Sequence, residues 1–436
     1  MPNTVAYGGW RGALAVYGNR RQLVIFLMGF SSGLPLLLGF STLSYWLAKE
    51  GVALAAIGGL LTVSTPYSLK FLWAPALDHV RLPVFTRLLG RRRGWALFIQ
   101  IMLMGAIVAL GASDPADNLV YMAAMALVVA FLSASQDIVI DAYRIEILDE
   151  DEQGAGAAMT QAGYRIGLLA AGAGALALAD FISWFWVYGV MAALVSVGMI
   201  AVLIAPEPAR FLPRDTTKVD LRLAVIEPFA EFLTRNGLKG TLVILAFVLL
   251  YKYGDAVAGA MANPFYHQIG FSGVEIAGVT KALGVAATLV GVFTGGALVA
   301  KSGVLTALLV GGVLQALTNL IFAWLATVGA DISVLAIAVG ADSFTGGLGS
   351  AAFVAYLSGL CNVAFTGTQF ALLTSLMALG RTVLAASSGF IAEQAGWAGF
   401  FVATTGLAVP GLLLLLWVSR LPAPDANRRS GFESHP

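Results

Sequence analysis

FLSASQDIVIDAYR, residues 131–144, is an apolar run that carries an amide and two carboxylates, Gln136, Asp137 and Asp141, where charge is unwelcome. With the residues before it, it forms an apolar segment over 118–141, and about 20 such residues cross the roughly 30 Å hydrocarbon core of a bilayer. A carboxylate inside such a helix costs several kcal/mol unless it faces a cavity or a partner, so it marks function by default. Working outward, the same kind of segment recurs from end to end. Of the 436 residues, 59% are hydrophobic and 11% charged, against roughly a quarter charged in a soluble domain. In lipid every backbone polar group must be satisfied internally, so the chain reads as a polytopic α-helical membrane protein.

Twelve candidate helices follow from the apolar runs: 22–47, 53–77, 95–113, 118–141, 156–179 and 183–205, then 240–267, 273–299, 303–328, 332–360, 366–392 and 397–419. Between the two sets lies PEPARFLPRDTTKVDLRLAVIEPFAEFLTRNGLK, by far the longest polar connection. This divides the chain into an N-terminal six-helix bundle (1–205), a cytoplasmic central loop (206–239), a C-terminal six-helix bundle (240–420) and a cytoplasmic tail (421–436). Cytoplasmic loops collect Lys and Arg. With the N-terminus inside, 19 of the 25 basic residues fall on cytoplasmic segments, and only Lys49 falls outside. Both termini are thereby expected in the cytoplasm. At an offset of 216, QGAGAAMTQAGYR meets QFALLTSLMALGR, pairing Gln153 with Gln369 and Arg165 with Arg381. Two parallel repeats of six helices are the plan of major facilitator transporters, whose substrate sites lie between the halves near the midplane. The expected class is an all-α integral membrane protein with the major facilitator fold, 12 transmembrane helices in two six-helix bundles.

A net charge of +1 gives no basic surface for nucleic acid. The single cysteine, Cys361, allows no internal disulfide, and His79, His267 and His435 lie in no metal-ligand spacing. No metal, cofactor or nucleophile cluster is visible, so the chain does not read as an enzyme. The N-terminus has no short apolar run with a small-residue cleavage site and reads as retained.

Nine charges fall within the spans: Lys70, Arg165, Lys252, Lys281, Arg381, Asp137, Asp141, Asp255 and Asp342. At about 1.5 Å of rise per residue, Asp342 lies near the midplane of the tenth span, and Lys252 and Asp255 share one face of the seventh. The pair serves either as a structural ion pair or as a group that binds cargo or carries a proton. Asp137, Asp255 and Asp342 are candidates for proton coupling, since a cavity that alternately wets and closes lets a carboxylate load and release a proton. Gln136, Arg165, Lys252, Lys281 and Arg381 are candidates for holding a polar, anionic cargo. Asp141, with Arg144 close by, reads as structural.

In LDHVRLPVFTRLLGRRRGW, Asp78 followed by the cluster Arg91, Arg92 and Arg93 resembles the gating motif of major facilitator proteins, although an Arg run is also what a solvated cytoplasmic loop carries. Gly172, Gly174 and Ala177 match a dinucleotide fingerprint only superficially, as do Gly347, Gly349 and Ala352, because no strand precedes them. Small residues instead let membrane helices pack closely. Trp46, Trp184, Trp186 and Trp397 sit at span ends, where interfacial belts place them.

YSLKFLWAPALD, GRRRGW, SASQDIVIDA, GAGAA followed by GYRIG, YKYGDA, TKALGVAATLVG, GGLGSAAFVAYLSGLCN and TQFALL resemble, in this order, the AmpG muropeptide permeases of Gram-negative bacteria. The resemblance implies a monomeric inner-membrane permease driven by the proton gradient. It would import N-acetylglucosaminyl-1,6-anhydro-N-acetylmuramyl peptides from periplasm to cytoplasm for peptidoglycan recycling, a flow that also feeds β-lactamase induction. Carried over by position, Gln136 and Asp137 are the family's SQDI pair, Lys252 and Asp255 its YK-GDA pair, and Lys281 its K-LG lysine. Two departures stand out: some members run about two transmembrane helices longer, and Tyr143 and Arg144 replace a familiar Trp and Lys. The alternative cargo is another amphiphile, such as acetyl-CoA or a drug.

Overall fold

The computed structural model describes residues 9–53, 56, 61–115, 118–208 and 221–420, and among these it is helical. Among the described residues, ten helices are long and apolar enough to cross a membrane. We label the spans α1 (Arg20–Lys49), α3 (Arg91–Gly111), α4 (Leu119–Ile147), α6 (Trp184–Ile204), α8 (Gly273–Ser302), α9 (Val304–Val328), α10 (Ile332–Leu360), α11 (Thr366–Ala385) and α12 (Ser388–Val418), with α2 (61–79), α5 (153–178) and α7 between them. Helix α7 consists of Leu221–Leu250 and Tyr253–Gln268. Side-chain caps start several of them: Asn118 accepts from the Tyr121 N–H and Asp331 from those of Ser333 and Val334, satisfying donors that a helix start leaves free.

The spans that depart from regular helix matter most. Helix α2 is a chain of short pieces, Thr65–Leu69 and Ala74–His79 separated by 3-10 turns; part of its expected extent, 54–55 and 57–60, lies outside the described residues. Helix α5 contains a π-turn at Ala170–Gly174, and α8 one at Gly278–Leu283; such turns concentrate at functional positions. Helix α7 is interrupted between Leu250 and Tyr253, which leaves Lys252 at the N-cap of its second part. Of the central loop, 209–220 lie outside the described residues, while 221–236 is helical until Gly237 breaks it with a φ of 66°. The tail 421–436 also lies outside them.

Close packing rests on glycine. A Cβ at Gly163 of α5 would stand 2.1 Å from the Phe26 carbonyl oxygen of α1, and one at Gly291 of α8 would stand 1.9 Å from that of Phe344 in α10. Gly105 of α3 faces open space. Gly163→Val should therefore destabilise by about 1–3 kcal/mol or more through overpacking. Thermal unfolding of purified protein reads this as a lowered Tm, with Gly105→Val unchanged.

The halves α1–α6 and α7–α12 meet through α5 against α8 and α10, and through α11 against α2 and α4. The N-terminal helix Trp10–Ala15 reaches across as well. Ala13 is buried with Ala297 and Ala300 of α8, Lys301 sits 4.3 Å over the Trp10 ring, and the Tyr17 hydroxyl donates to the Phe293 carbonyl at 2.8 Å.

Two of the four belt tryptophans are not at a lipid surface. Trp46 and Trp184 are 4% and 9% exposed and stack on each other at 5.3 Å, because α1 and α6 converge at their ends and bury both rings. Trp186 is exposed, and Trp397 donates to Gln268.

Candidate functional site

In the first half, the site is built where α1, α2 and α4 converge. The Ser32 hydroxyl donates to the Asp137 carboxylate, and Lys70, buried in the 3-10 turn of α2, lies within its electrostatic reach. Tyr67 and Tyr164 lie within electrostatic reach of the same carboxylate. Gln136 is fully buried and donates to the Ser31 carbonyl at 3.1 Å, so it holds α4 to α1 with one face of its amide. One turn further on, Asp141 pairs with Arg144 at 3.5 Å.

In the second half, the Lys252 ammonium contacts the Asp255 carboxylate at 3.0 Å. Asp342 of α10 accepts from the Gln315 amide at 2.7 Å and from the Thr318 hydroxyl at 3.4 Å, both on α9. Lys252 and Asp255 lie within electrostatic reach of Asp342, so the expected pair and a charge expected apart from it come together. The glycines of α10 make the room: a Cβ at Gly349 would stand 3.3 Å from the Lys252 ammonium, and one at Gly346 would stand 3.4 Å from the Gln315 carbonyl oxygen.

Arg165 of α5 and Arg381 of α11 lie within electrostatic reach of each other although they belong to different halves. Both are exposed, and among the described residues neither has an ion pair or a hydrogen bond. Each lies twelve residues beyond its matched glutamine, about 18 Å of helix rise. The glutamines themselves act alike: Gln153 donates to the Ile145 and Leu148 carbonyls, and Gln369 accepts from the Asn362 N–H, each tying its helix to the end of the preceding span. Lys281 lies exposed in the π-turn of α8, without an ion pair among the described residues.

At the end bearing the central connection, buried side chains bridge the halves. Asp78 and Arg92 are each 1% exposed. Arg92 donates to Asp78 at 2.8 Å and to Glu146 at 2.5 Å, while the other oxygen of Asp78 accepts from the Thr368 N–H and hydroxyl of α11 at 2.8 and 2.7 Å. The basic cluster divides its work. Only Arg92 reaches the carboxylate; Arg91 donates to the Asp78 backbone carbonyl, and Arg93 to the Val202 and Leu203 carbonyls at the end of α6. Arg144 crosses the halves too, donating to Ser358 of α10 at 3.0 Å and lying over the Phe370 ring. Sequence reasoning missed Glu146, although a further acid in AYRIEIL was a readable signal. It also missed Thr368, Ser32 and Gln315, which are neutral and carry none.

Burial alone would raise the Asp78 carboxyl; the Arg92 charge, the hydrogen bonds from Thr368 and Arg92, and the Arg91 charge outweigh it and hold the group below the ordinary carboxylate range. An acid lowered on folding contributes stability above its ordinary pKa and loses it only as the pH falls through the lowered value. The stability lost in Thr368→Val, about 1.5–3 kcal/mol for a hydrogen bond to a charged group, should therefore stay constant from about pH 8 to pH 5. Thermal unfolding across that range checks it, and a difference fading near neutrality would contradict the assignment.

Residues 25–341 match the sequence profile of the Major Facilitator Superfamily. The chain is 42% identical to the anhydromuropeptide permease of Escherichia coli (strain K12) over 405 residues, covering 92% of this chain and 80% of that protein. This chain belongs to the AmpG family of the major facilitator superfamily. A putative transporter AmpG 4 of Rickettsia felis is 34% identical over 93% of this chain and 98% of its own length. Among solved structures, the human organic anion transporter MFSD10 matches with a TM-score of 0.64 at 18% identity, over 94% of this chain and all of that one. The proton:xylose symporter XylE matches with 0.64 at 13% identity, over 92% and 95%. The fold is thus that of major facilitator transporters, and the AmpG-family chain is a multi-pass membrane transporter of small molecules, not an enzyme.

Proposed function

We propose that this transporter imports anhydro-muropeptides, N-acetylglucosaminyl-1,6-anhydro-N-acetylmuramyl peptides, from periplasm to cytoplasm across the inner membrane, in symport with protons. The observation that carries the reading is the partnerless pair Arg165 and Arg381, one from each half at matching depth. Guanidinium forks suit carboxylates, and the free carboxylates of a muropeptide's peptide stem supply them. The identity to the anhydromuropeptide permease supports the cargo class.

In this reading both termini are cytoplasmic, the bundles are 1–205 and 240–420 joined by the loop 206–239, and one chain suffices because both halves of the path lie within it. The bridged end is then the cytoplasmic one, with Asp78 and Arg92 as its latch and Arg91 and Arg93 fixing the surrounding helix ends. Gln136, Lys252 and Lys281 join the arginines around the polar cargo, while Asp137, Asp255 and Asp342 are the carboxylates among which the coupling group lies. The imported muropeptides would enter peptidoglycan recycling and feed β-lactamase induction.

The test is uptake of radiolabelled anhydro-disaccharide tripeptide into proteoliposomes with and without an inward proton gradient. Gradient-dependent accumulation is expected, with unlabelled muropeptide competing and acetyl-CoA not. No uptake by folded protein, or competition by acetyl-CoA alone, would assign another cargo. In Asp137→Asn, a changed dependence on the gradient is expected if Asp137 takes part in coupling; unchanged dependence would remove it from that role.

A further inference from the structure

The two halves differ in how their intramembrane charges balance. In the first half each acid has its own cation: Asp137 has Lys70 within reach, and Asp141 has Arg144 at 3.5 Å. In the second half one ammonium serves two acids. Lys252 contacts Asp255 at 3.0 Å, and Asp342 is held only by the neutral donors Gln315 and Thr318. With all three groups ionised the cluster carries one uncompensated negative charge in the membrane, which is costly. A single added proton removes it.

We infer that Asp342 is the carboxylate that carries the transported proton, with Asp255 remaining the partner of Lys252 and Gln315 serving Asp342 in both protonation states. This deepens the symport reading above and rests on it. The amide of Gln315 explains how one site tolerates both forms. Its NH2 donates to Asp342 at 2.7 Å, while its carbonyl oxygen, buried beside Gly346, has no hydrogen-bond donor. When Asp342 gains a proton, it becomes a donor, and rotation of the amide brings the unused oxygen of Gln315 to accept it. The proton enters from water in the space between the halves, forms an O–H bond at the carboxylate, and leaves to water when the space opens on the other side. No other group need change its covalent state.

The groups facing Asp342 agree with this assignment. From α7 come Lys252, Asp255 and Tyr266, and from α9 come Gln315 and Thr318. Helix α8 packs Gly284 and Gly291 on the neighbouring turns of α10. The interruption of α7 before Tyr253 places Lys252 at a helix end rather than inside a rigid run, so its ammonium can follow the charge from Asp255 toward Asp342 when the proton leaves.

Two measurements test the inference, and the first needs no cargo. Infrared difference spectra of the purified, liposome-reconstituted protein are taken as the pH is lowered within the range where exposed carboxylates stay ionised. A protonated-carboxyl C=O band is expected in wild type and Asp137→Asn, it should appear only at lower pH in Asp255→Asn, where Lys252 is freed to balance Asp342, and it should be missing in Asp342→Asn. Gln315→Leu should keep the band but move its frequency and its pH midpoint, which a merely structural role would leave in place. A band that survives in Asp342→Asn, or disappears instead in Asp137→Asn, overturns the assignment.

The second measurement compares gradient-driven accumulation with counterflow of the labelled tripeptide muropeptide. Asp342→Asn should retain counterflow and lose accumulation above the external concentration, and Asp342→Glu should restore accumulation. Concentrative uptake by Asp342→Asn would also overturn the inference. Absence of all uptake in wild type would strike the muropeptide reading instead, and the infrared result would still decide the fate of Asp342.

Discussion

Arg92→Met should destabilise the protein by about 3–5 kcal/mol, the cost of stranding a buried charge after its partner is removed. Here two carboxylates are stranded at once. Arg92 donates to both Asp78 and Glu146, and all three side chains are almost entirely withdrawn from solvent. The loss is a large share of the roughly 5–15 kcal/mol that keeps a domain folded, so the variant should show a strongly lowered Tm and poor recovery from detergent. The same argument makes the converse prediction. Asp78→Asn with Glu146→Gln, placed on top of Arg92→Met, should recover much of the stability, because well-packed neutral groups can replace a buried ion network at little cost. An additive loss across the three changes would mean that the residues act independently.

Arg381→Leu should weaken muropeptide binding by about 1.5–3 kcal/mol, the worth of a hydrogen bond to a charged group, which is roughly a ten- to hundredfold rise in Kd. Arg165→Leu should do the same. If both grip one carboxylate, the double variant should lose less than the two single losses together, since removing either arginine already disables the shared contact. Arg381→Lys should recover only part of the affinity, because an ammonium lacks the planar fork that meets a carboxylate at two points. Equilibrium binding of the tripeptide muropeptide, compared with an analogue whose free peptide carboxylates are amidated, reads the effect. Equal loss for both ligands would show that the arginines act elsewhere.

Much of this could be read from the residues because a membrane makes the hydrophobic pattern strict. Ten spans are long and apolar enough to be plain, and the charges inside them were conspicuous by cost alone. Asp137, Asp342 and the pair Lys252 and Asp255 were therefore visible. The meeting of that pair with Asp342 was not, since the convergence of α7, α9 and α10 depends on glycines at 346 and 349 that look like ordinary small-residue packing. The break in α7 was hidden as well: LLYKYGDA reads as a continuous helix until its backbone is seen to part before Tyr253. The misplaced tryptophans have the same origin. Position at a span end says where a ring sits along the membrane normal, whereas the stacking of Trp46 on Trp184 depends on which helices converge there.

The contact between Tyr17 and Phe293 joins residues 276 positions apart, and this separation bears on how the protein is made. Membrane chains are synthesised from the N-terminus, and earlier segments settle before later ones exist. The helix Trp10–Ala15 emerges first yet has nowhere to dock until α8 has been threaded into the bilayer. It must wait, undocked, through the synthesis of α1 to α7, and its docking then closes the 276-residue separation between Tyr17 and Phe293. Translated before every span described here, it reaches its place only once α8 is made.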